Sequence, residues 1–208
     1  MVYTSSTMTK HRPHDERRQQ ILEAAMECFI RNGYAHTRVD DIAREAGLSK
    51  GGIYFHFPSK RDIFDALQEI EIERTMEAVL EAQSADAPAV MKLQQLAYKL
   101  IVEFGSNEEH RKFLIVLGEM GIRNPDVRER VVQTHEAYLQ MITRQIEVGI
   151  AAGEIRDINP EMAALVLKLL VDGIEQAFAL GYNVDPERLL FEGLDVIVNG
   201  LAPRPEES

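Results

Sequence analysis

Residues able to do covalent or acid–base chemistry are present in this sequence, but their spacing does not assemble them. The six histidines are scattered and Cys28 stands alone. No nucleophile sits beside a base, no metal-ligand spacing recurs, and Gly51-Gly52 belongs to no phosphate-loop pattern. The sequence therefore predicts neither an enzyme nor a cofactor. What is concentrated is binding chemistry, in the stretch Thr37-Arg38-Val39-Asp40-Asp41-Ile42-Ala43-Arg44-Glu45-Ala46-Gly47-Leu48-Ser49-Lys50-Gly51-Gly52-Ile53-Tyr54-Phe55-His56-Phe57. Cations, hydroxyls, aromatics and two adjacent glycines fall there within two short helical patterns joined at Gly47. Gly51 and Gly52 are poor helix formers, but at a helix N-terminus they let backbone approach a ligand closely. Tyr54 and Phe55 are neighbours and cannot share a helix face, so at least one of them must point outward.

Positioning such a stretch requires helices before and after it. Pro13 suits a first helical turn and Asn32-Gly33 a stop, which predicts a first helix over 13–32 carrying Ile21, Leu22, Ala25, Cys28 and Phe29 inward. Short helices follow over 39–46, with Thr37 available as a cap, and over 50–57. Val39, Ile42, Ala43, Leu48 and Ile53 would pack inward, leaving the second short helix projected for insertion into a DNA major groove. Ser59 should cap a long fourth helix over 60–83. Further helices are expected over 89–104, 108–121, 125–152, 160–180 and 186–199, and no strand is expected. The chain thus reads as all-α: a tail over 1–12, a helix-turn-helix domain over 13–60, a larger helical domain over 61–201 and a tail over 202–208.

Charge divides along the same line. The chain carries 23 Lys plus Arg and 34 Asp plus Glu, a net −11, yet residues 10–62 hold 10 basic against 8 acidic groups. The remainder is strongly acidic, so only the N-terminal part tolerates a polyanion. No apolar run is long enough for a membrane span and the N-terminus has no apolar signal core, so the expected location is cytoplasmic, with no membrane partner. Cys28 lies in an apolar helical pattern and reads as a buried structural thiol.

From Arg17 to Leu67 the sequence resembles the DNA-binding domain of the TetR family. The resemblance rests on Gly33-Tyr34 and Thr37, then Asp41-Ile42-Ala43, Ala46-Gly47-Leu48-Ser49-Lys50-Gly51, Ile53-Tyr54, His56-Phe57 and Ser59-Lys60, in order. It implies about nine helices, a homodimer on a palindromic double-stranded DNA operator and a C-terminal ligand pocket. It also implies phosphate contacts by Thr37, Tyr54, His56 and Lys60, and places Arg38, Lys50, Gly51, Gly52 and Phe55 near base edges. The chemistry agrees: hydroxyls and a lysine hold phosphate oxygens, Arg38 and Lys50 can donate to guanine O6 and N7, and Phe55 can meet a thymine methyl. The plainer alternative makes Tyr54 and Phe55 core and Lys60 a solvated charge.

In the C-terminal half, Gly153-Glu154-Ile155, Asn159-Pro160 and Val171-Asp172-Gly173-Ile174 are similar to many members of the family. Leu165, Leu169, Gly173, Leu190, Leu194 and Ile197 are the expected dimer interface, the alternative being a wholly intramolecular core. Phe104, Phe113, Met120, His135, Tyr138, Met141, Arg144 and Phe178 are the expected lining of a pocket for a small, largely apolar or aromatic effector. A planar drug, a fatty acid derivative, a phenolic compound or a bile acid would suit it. The function so implied is a ligand-responsive regulator, a repressor released when effector binding swings the fourth helix and changes the spacing of the two recognition helices. The alternative is a DNA-binding regulator without a small-molecule effector, controlled by a protein, activating or architectural.

Overall fold

A computed structural model describes residues 14–83, 86–102, 107–183 and 185–193, together with the backbone of 84, 103–104 and 194–199. Nine α-helices and one π-helical turn make up the described residues, and no strand occurs among them. They divide into two compact units, Met1–Leu67 and Gln68–Ser208. The division falls after residue 67, rather than after 60, because Ile63, Phe64 and Leu67 are buried with the first unit's core.

In the first unit α1 (His14–His36) runs through the expected stop, but Gly33 breaks its helical geometry with φ 74° and ψ 158°. Only glycine adopts that backbone without strain, and the break turns Tyr34 back beside Phe29 and Phe64, with ring centroids 5.3 and 5.0 Å away. α2 (Val39–Glu45) and α3 (Lys50–His56) meet across Gly47, whose φ of 63° closes the turn. Ile42, Ala43 and Ile53 are buried as expected, while Val39 and Leu48 are half-buried. Two polar ties fix this pair to α1: Gln20 donates to the Ala46 carbonyl at 2.6 Å, and Arg31 pairs with Glu45 at 2.6 Å. Cys28 is fully buried, and burial pushes its thiol pKa up, consistent with a structural role.

α4 (Lys60–Ser84) is opened by Ser59, whose hydroxyl oxygen accepts from the Asp62 N–H at 3.2 Å. Its residues to Leu67 belong to the first unit and the rest to the second. The second unit continues with α5 (Ala89–Tyr98), a π-helical turn over Lys99–Phe104, α6 (Glu108–Arg123), α7 (Pro125–Ala151), α8 (Pro160–Ala179) and α9 (Pro186–Asn199). The expected helix over 89–104 is thus α-helical only to Tyr98. Asparagine caps recur: Asn107, Asn124 and Asn159 accept from first-turn N–H groups of α6, α7 and α8, the last two beside a proline at the first helical position.

The main core of this unit gathers Ala78, Val79, Ala82, Leu96, Leu100, Tyr138, Ile142, Ile146 and Ala164. The Gly153-Glu154-Ile155 sequence closes it at one end. Glu154 accepts from the Ala89 N–H at 2.6 Å and so caps α5, while Ile155 seats its side chain where a Cβ on Gly149 would stand.

Candidate DNA-binding face and effector cavity

α3 presents a polar and aromatic surface built from consecutive side chains. Its cap, Ser49, accepts from the Gly52 N–H at 3.1 Å. Lys50 and Gly51 are exposed, Gly52 is half-buried, and a Cβ on Gly51 would meet nothing closer than 3.9 Å. Tyr54 is 44% and Phe55 78% exposed, which rules out the plain core reading for both. Lys50 Nζ lies 2.8 Å from Asp40, so α2 holds this cation at the start of α3. Arg38 is exposed at the head of α2, and its backbone N–H donates to Asp41 at 3.0 Å. His56 is half-buried, its ring 4.6 Å from that of His14, and burial followed by the charges of His14 and Arg18 pushes its pKa down.

Thr37 and Lys60, both expected on phosphates, make internal hydrogen bonds. Thr37 is buried and its hydroxyl donates to the Cys28 and Gly33 carbonyls at 3.0 and 2.8 Å. It therefore ties the broken end of α1, and Arg38 occupies the N-cap position of α2, where its backbone N–H donates to Asp41. Lys60 donates to the Tyr34 carbonyl at 2.6 Å and the Thr37 carbonyl at 2.7 Å, its ammonium 4.2 Å from the Tyr34 ring centre. Burial lowers its pKa. The carbonyls freed where α1 ends are the physical reason both side chains turn inward.

The second unit carries an open-sided cavity of about 860 Å³ walled by α4, the π-helical turn, α6, α7 and α8. Its surface is mostly aliphatic, with Ile72, Leu100, Leu114, Leu117, Val131 and Val171 among the lining side chains. Of the expected lining residues, His135 and Tyr138 are on the wall. Desolvation pushes the His135 pKa down and that of the Tyr138 phenol up. Phe113, Met120 and Phe178 are packed into protein instead, Phe178 against Ile101 and Leu190. Met141 packs against the main core, Arg144 is exposed away from the cavity, and the Phe104 side chain lies outside the described residues.

Polar groups that the sequence analysis did not select stand on this wall. His110 and Glu71 are both buried, with His110 Nδ1 2.6 Å from a Glu71 carboxylate oxygen and 2.9 Å from Arg74 Nη1. Protonated, that nitrogen donates to Glu71; unprotonated, it accepts from Arg74. Lys168 is paired with Asp172 one turn on. Gln68 is 1% exposed, and among the described residues neither its amide oxygen nor its amide nitrogen has a hydrogen-bond partner. Glu175 opens onto the cavity with protein around it; burial, helped by Asp172 and Glu71 and opposed by His110 and Lys168, pushes its pKa up to about 7. A histidine on the apolar stripe of α6 and a glutamate between Ile174 and Phe178 on α8 were the available signals for this set.

The expected dimer-interface residues separate. Leu169 (59% exposed) and Gly173 are exposed on α8, with Met162, Val166 and Leu170 exposed beside them at helical spacing, and Phe191 exposed on α9. Leu165 is half-buried. Leu190 is buried within its own chain, against Ile101 and Phe178, and so is not part of that surface. The side chains of Leu194 and Ile197 lie outside the described residues. Among the described residues no helix is long and apolar enough to cross a membrane.

A helix-turn-helix unit followed by a cavity-bearing helical unit is the architecture of a one-chain DNA-binding regulator. Comparison with known proteins specifies it. The pattern described as "Bacterial regulatory proteins, tetR family" matches residues 21–67, and that described as "Tetracyclin repressor-like, C-terminal domain" matches residues 86–176. The regulator YhgD of Bacillus subtilis is 30% identical over 158 residues, covering 75% of this chain and 81% of its own. The fatty acid metabolism regulator protein of the same species is 28% identical over 138 residues, covering 66% and 70%. Among solved structures, a putative transcriptional regulator from Saccharomonospora viridis in complex with choline superposes with a TM-score of 0.77 at 26% identity, over 91% of this chain and 100% of that one. The FadR regulator of Bacillus subtilis with stearoyl-CoA shares the fold, with a TM-score of 0.75 at 24% identity over 88% and 99%. The chain belongs to the TetR family of transcriptional regulators and carries that family's DNA-binding domain.

Proposed function

We propose that this chain is a homodimeric repressor that leaves a palindromic operator when a small, largely apolar effector enters the second unit's cavity. The observation that carries the reading is the course of α4. Ile63, Phe64 and Leu67 are buried residues of the DNA-binding unit, and from the next residue on Gln68, Glu71, Ile72 and Thr75 line the cavity. α4 is a continuous helix with residues in both units, so a ligand that prefers one position of it can bias the DNA-binding unit. A cavity of about 860 Å³ supports ligand control over the alternative of a regulator with no effector, which needs no such space. DNA contact falls to Arg38, Lys50, Gly51, Gly52, Tyr54, Phe55 and His56, of which Lys50 would exchange Asp40 for a guanine edge or phosphate. The exposed apolar stripe of Met162, Val166, Leu169 and Leu170 supports pairing of two chains through α8.

The test is fluorescence anisotropy with labelled duplex from upstream of the protein's own gene, against shuffled duplex, across a salt series. Specific binding that weakens with salt is expected, with Lys50→Ala and Phe55→Ala each losing about tenfold or more. Equal affinity for both duplexes, or unchanged affinity in both variants, contradicts the assignment of α3.

A further inference from the structure

We propose that the cavity takes a lipophilic amine in its protonated form, with the ammonium seated against the Glu175 carboxylate and the Gln68 amide oxygen and the hydrocarbon body against the aliphatic wall. This rests on the effector-cavity reading above and names the chemical class of the effector. The argument is a balance of charges. Glu71 lies 3.5 Å from Arg74 and 2.6 Å from His110 Nδ1, and Asp172 is paired with Lys168. Arg128 is committed to the Gly121 and Ile122 carbonyls at 3.1 and 3.5 Å. Glu175 opens onto the same space; His110 and Lys168 act on it from nearby, but among the described residues no salt bridge is made to it.

A carboxylate held in aliphatic surroundings is costly to ionise, and a ligand cation is the complement that removes the cost. His110 and Lys168 offset part of that cost while Asp172 and Glu71 add to it, and a ligand cation would offset it further, whereas an anionic head would meet the Glu175 carboxylate itself. Gln68 supplies an independent observation. It precedes Glu71 by three residues and so shares its face of α4, and both its amide atoms are buried on the cavity wall without a partner. Its oxygen can accept an ammonium N–H, which a neutral hydrocarbon would leave unsatisfied. The aliphatic side chains of Leu100, Leu114, Val131 and Val171 provide the apolar remainder.

The test is calorimetric titration of the full chain with decylamine, decanol and decanoate, which share a tail and differ in head charge. At about pH 8 decylamine is expected to bind about tenfold or more tightly than decanol, and decanoate more weakly than either. Alkylamines stay protonated well above neutrality, so lowering the pH to about 6 leaves the ligand charged but protonates Glu175, and the preference for the amine should shrink. Glu71 from α4, His110 and Arg111 from α6, His135 and Tyr138 from α7, and Lys168 and Asp172 from α8 face the same space and remain in Glu175→Gln. That variant should bring amine and alcohol within about twofold of each other and flatten the pH response attributable to Glu175. If the variant fails to fold, the ranking of the three probes and its pH dependence in the native chain decide. Decanoate binding as tightly as decylamine, or an unchanged amine-to-alcohol ratio in Glu175→Gln, overturns this proposal while leaving an effector cavity in place. Failure of all three probes to bind overturns both.

Discussion

The Thr37 hydroxyl faces two carbonyls of α1 from a buried position and shares one proton between the Cys28 and Gly33 oxygens, adding to the Thr37 N–H bond that Gly33 already accepts. Replacing it with valine keeps the volume and removes the donor. Thr37→Val should therefore cost about 1–2 kcal/mol in urea unfolding. Its DNA affinity, measured where the variant remains folded, should stay within about twofold of the native value if the hydroxyl has no phosphate to hold. Unchanged stability with a large loss of DNA affinity would return Thr37 to the phosphate role its place in the motif implied. The sequence pattern around Thr37 and Lys60 is legible as a family signature, but a signature does not distinguish a residue that touches DNA from one that builds the element that does. Only the direction of the Thr37 hydroxyl and the two carbonyls under Lys60 separate those roles.

At the scale of elements, the helix boundaries were readable because their signals are local: Asn caps followed by proline at Asn124-Pro125 and Asn159-Pro160, Ser59 before α4, glycine at the turn between α2 and α3. The packing of α7 on the Gly153-Glu154-Ile155 turn shows what local signals omit. A Cβ at Gly149 would lie 2.6 and 2.9 Å from Ile155 atoms and 3.1 Å from the Ala89 Cβ. Alanine gains about 1 kcal/mol of helix propensity but overpacks this junction, a change that typically costs about 1–3 kcal/mol. Gly149→Ala should thus be net destabilising in thermal unfolding, whereas Gly118→Ala, where nothing lies within 4 Å, should be stabilising. A stabilised Gly149 variant would mean that Ile155 moves aside freely. The cavity lining escaped the sequence for a related reason. Phe113, Met120 and Phe178 share the helical spacing of a pocket wall, but periodicity marks an inward face without saying whether that face meets another side chain or open space. Gln68, Glu71, His110 and Glu175 come from three helices distant in sequence, and each alone has the look of an ordinary polar residue on an amphipathic helix.

For the whole molecule, the uneven charge read from the sequence has a direct consequence. A chain of net −11 approaches DNA most favourably with its N-terminal unit foremost, and in the proposed dimer a second copy would fix the spacing at which two such units meet the duplex. The exposed Met162, Val166, Leu169 and Leu170 stripe on α8 is where that pairing is assigned. The measurement that bears most directly on this account is selection of bound duplexes from a random-sequence pool, carried out with the native chain and with Leu169→Arg. The native protein should enrich an inverted repeat whose half-site centres lie about 34 Å apart or a multiple of that distance, and Leu169→Arg, unable to pair, should not. Enrichment of no sequence, or of a single unrepeated site by both proteins, would contradict it.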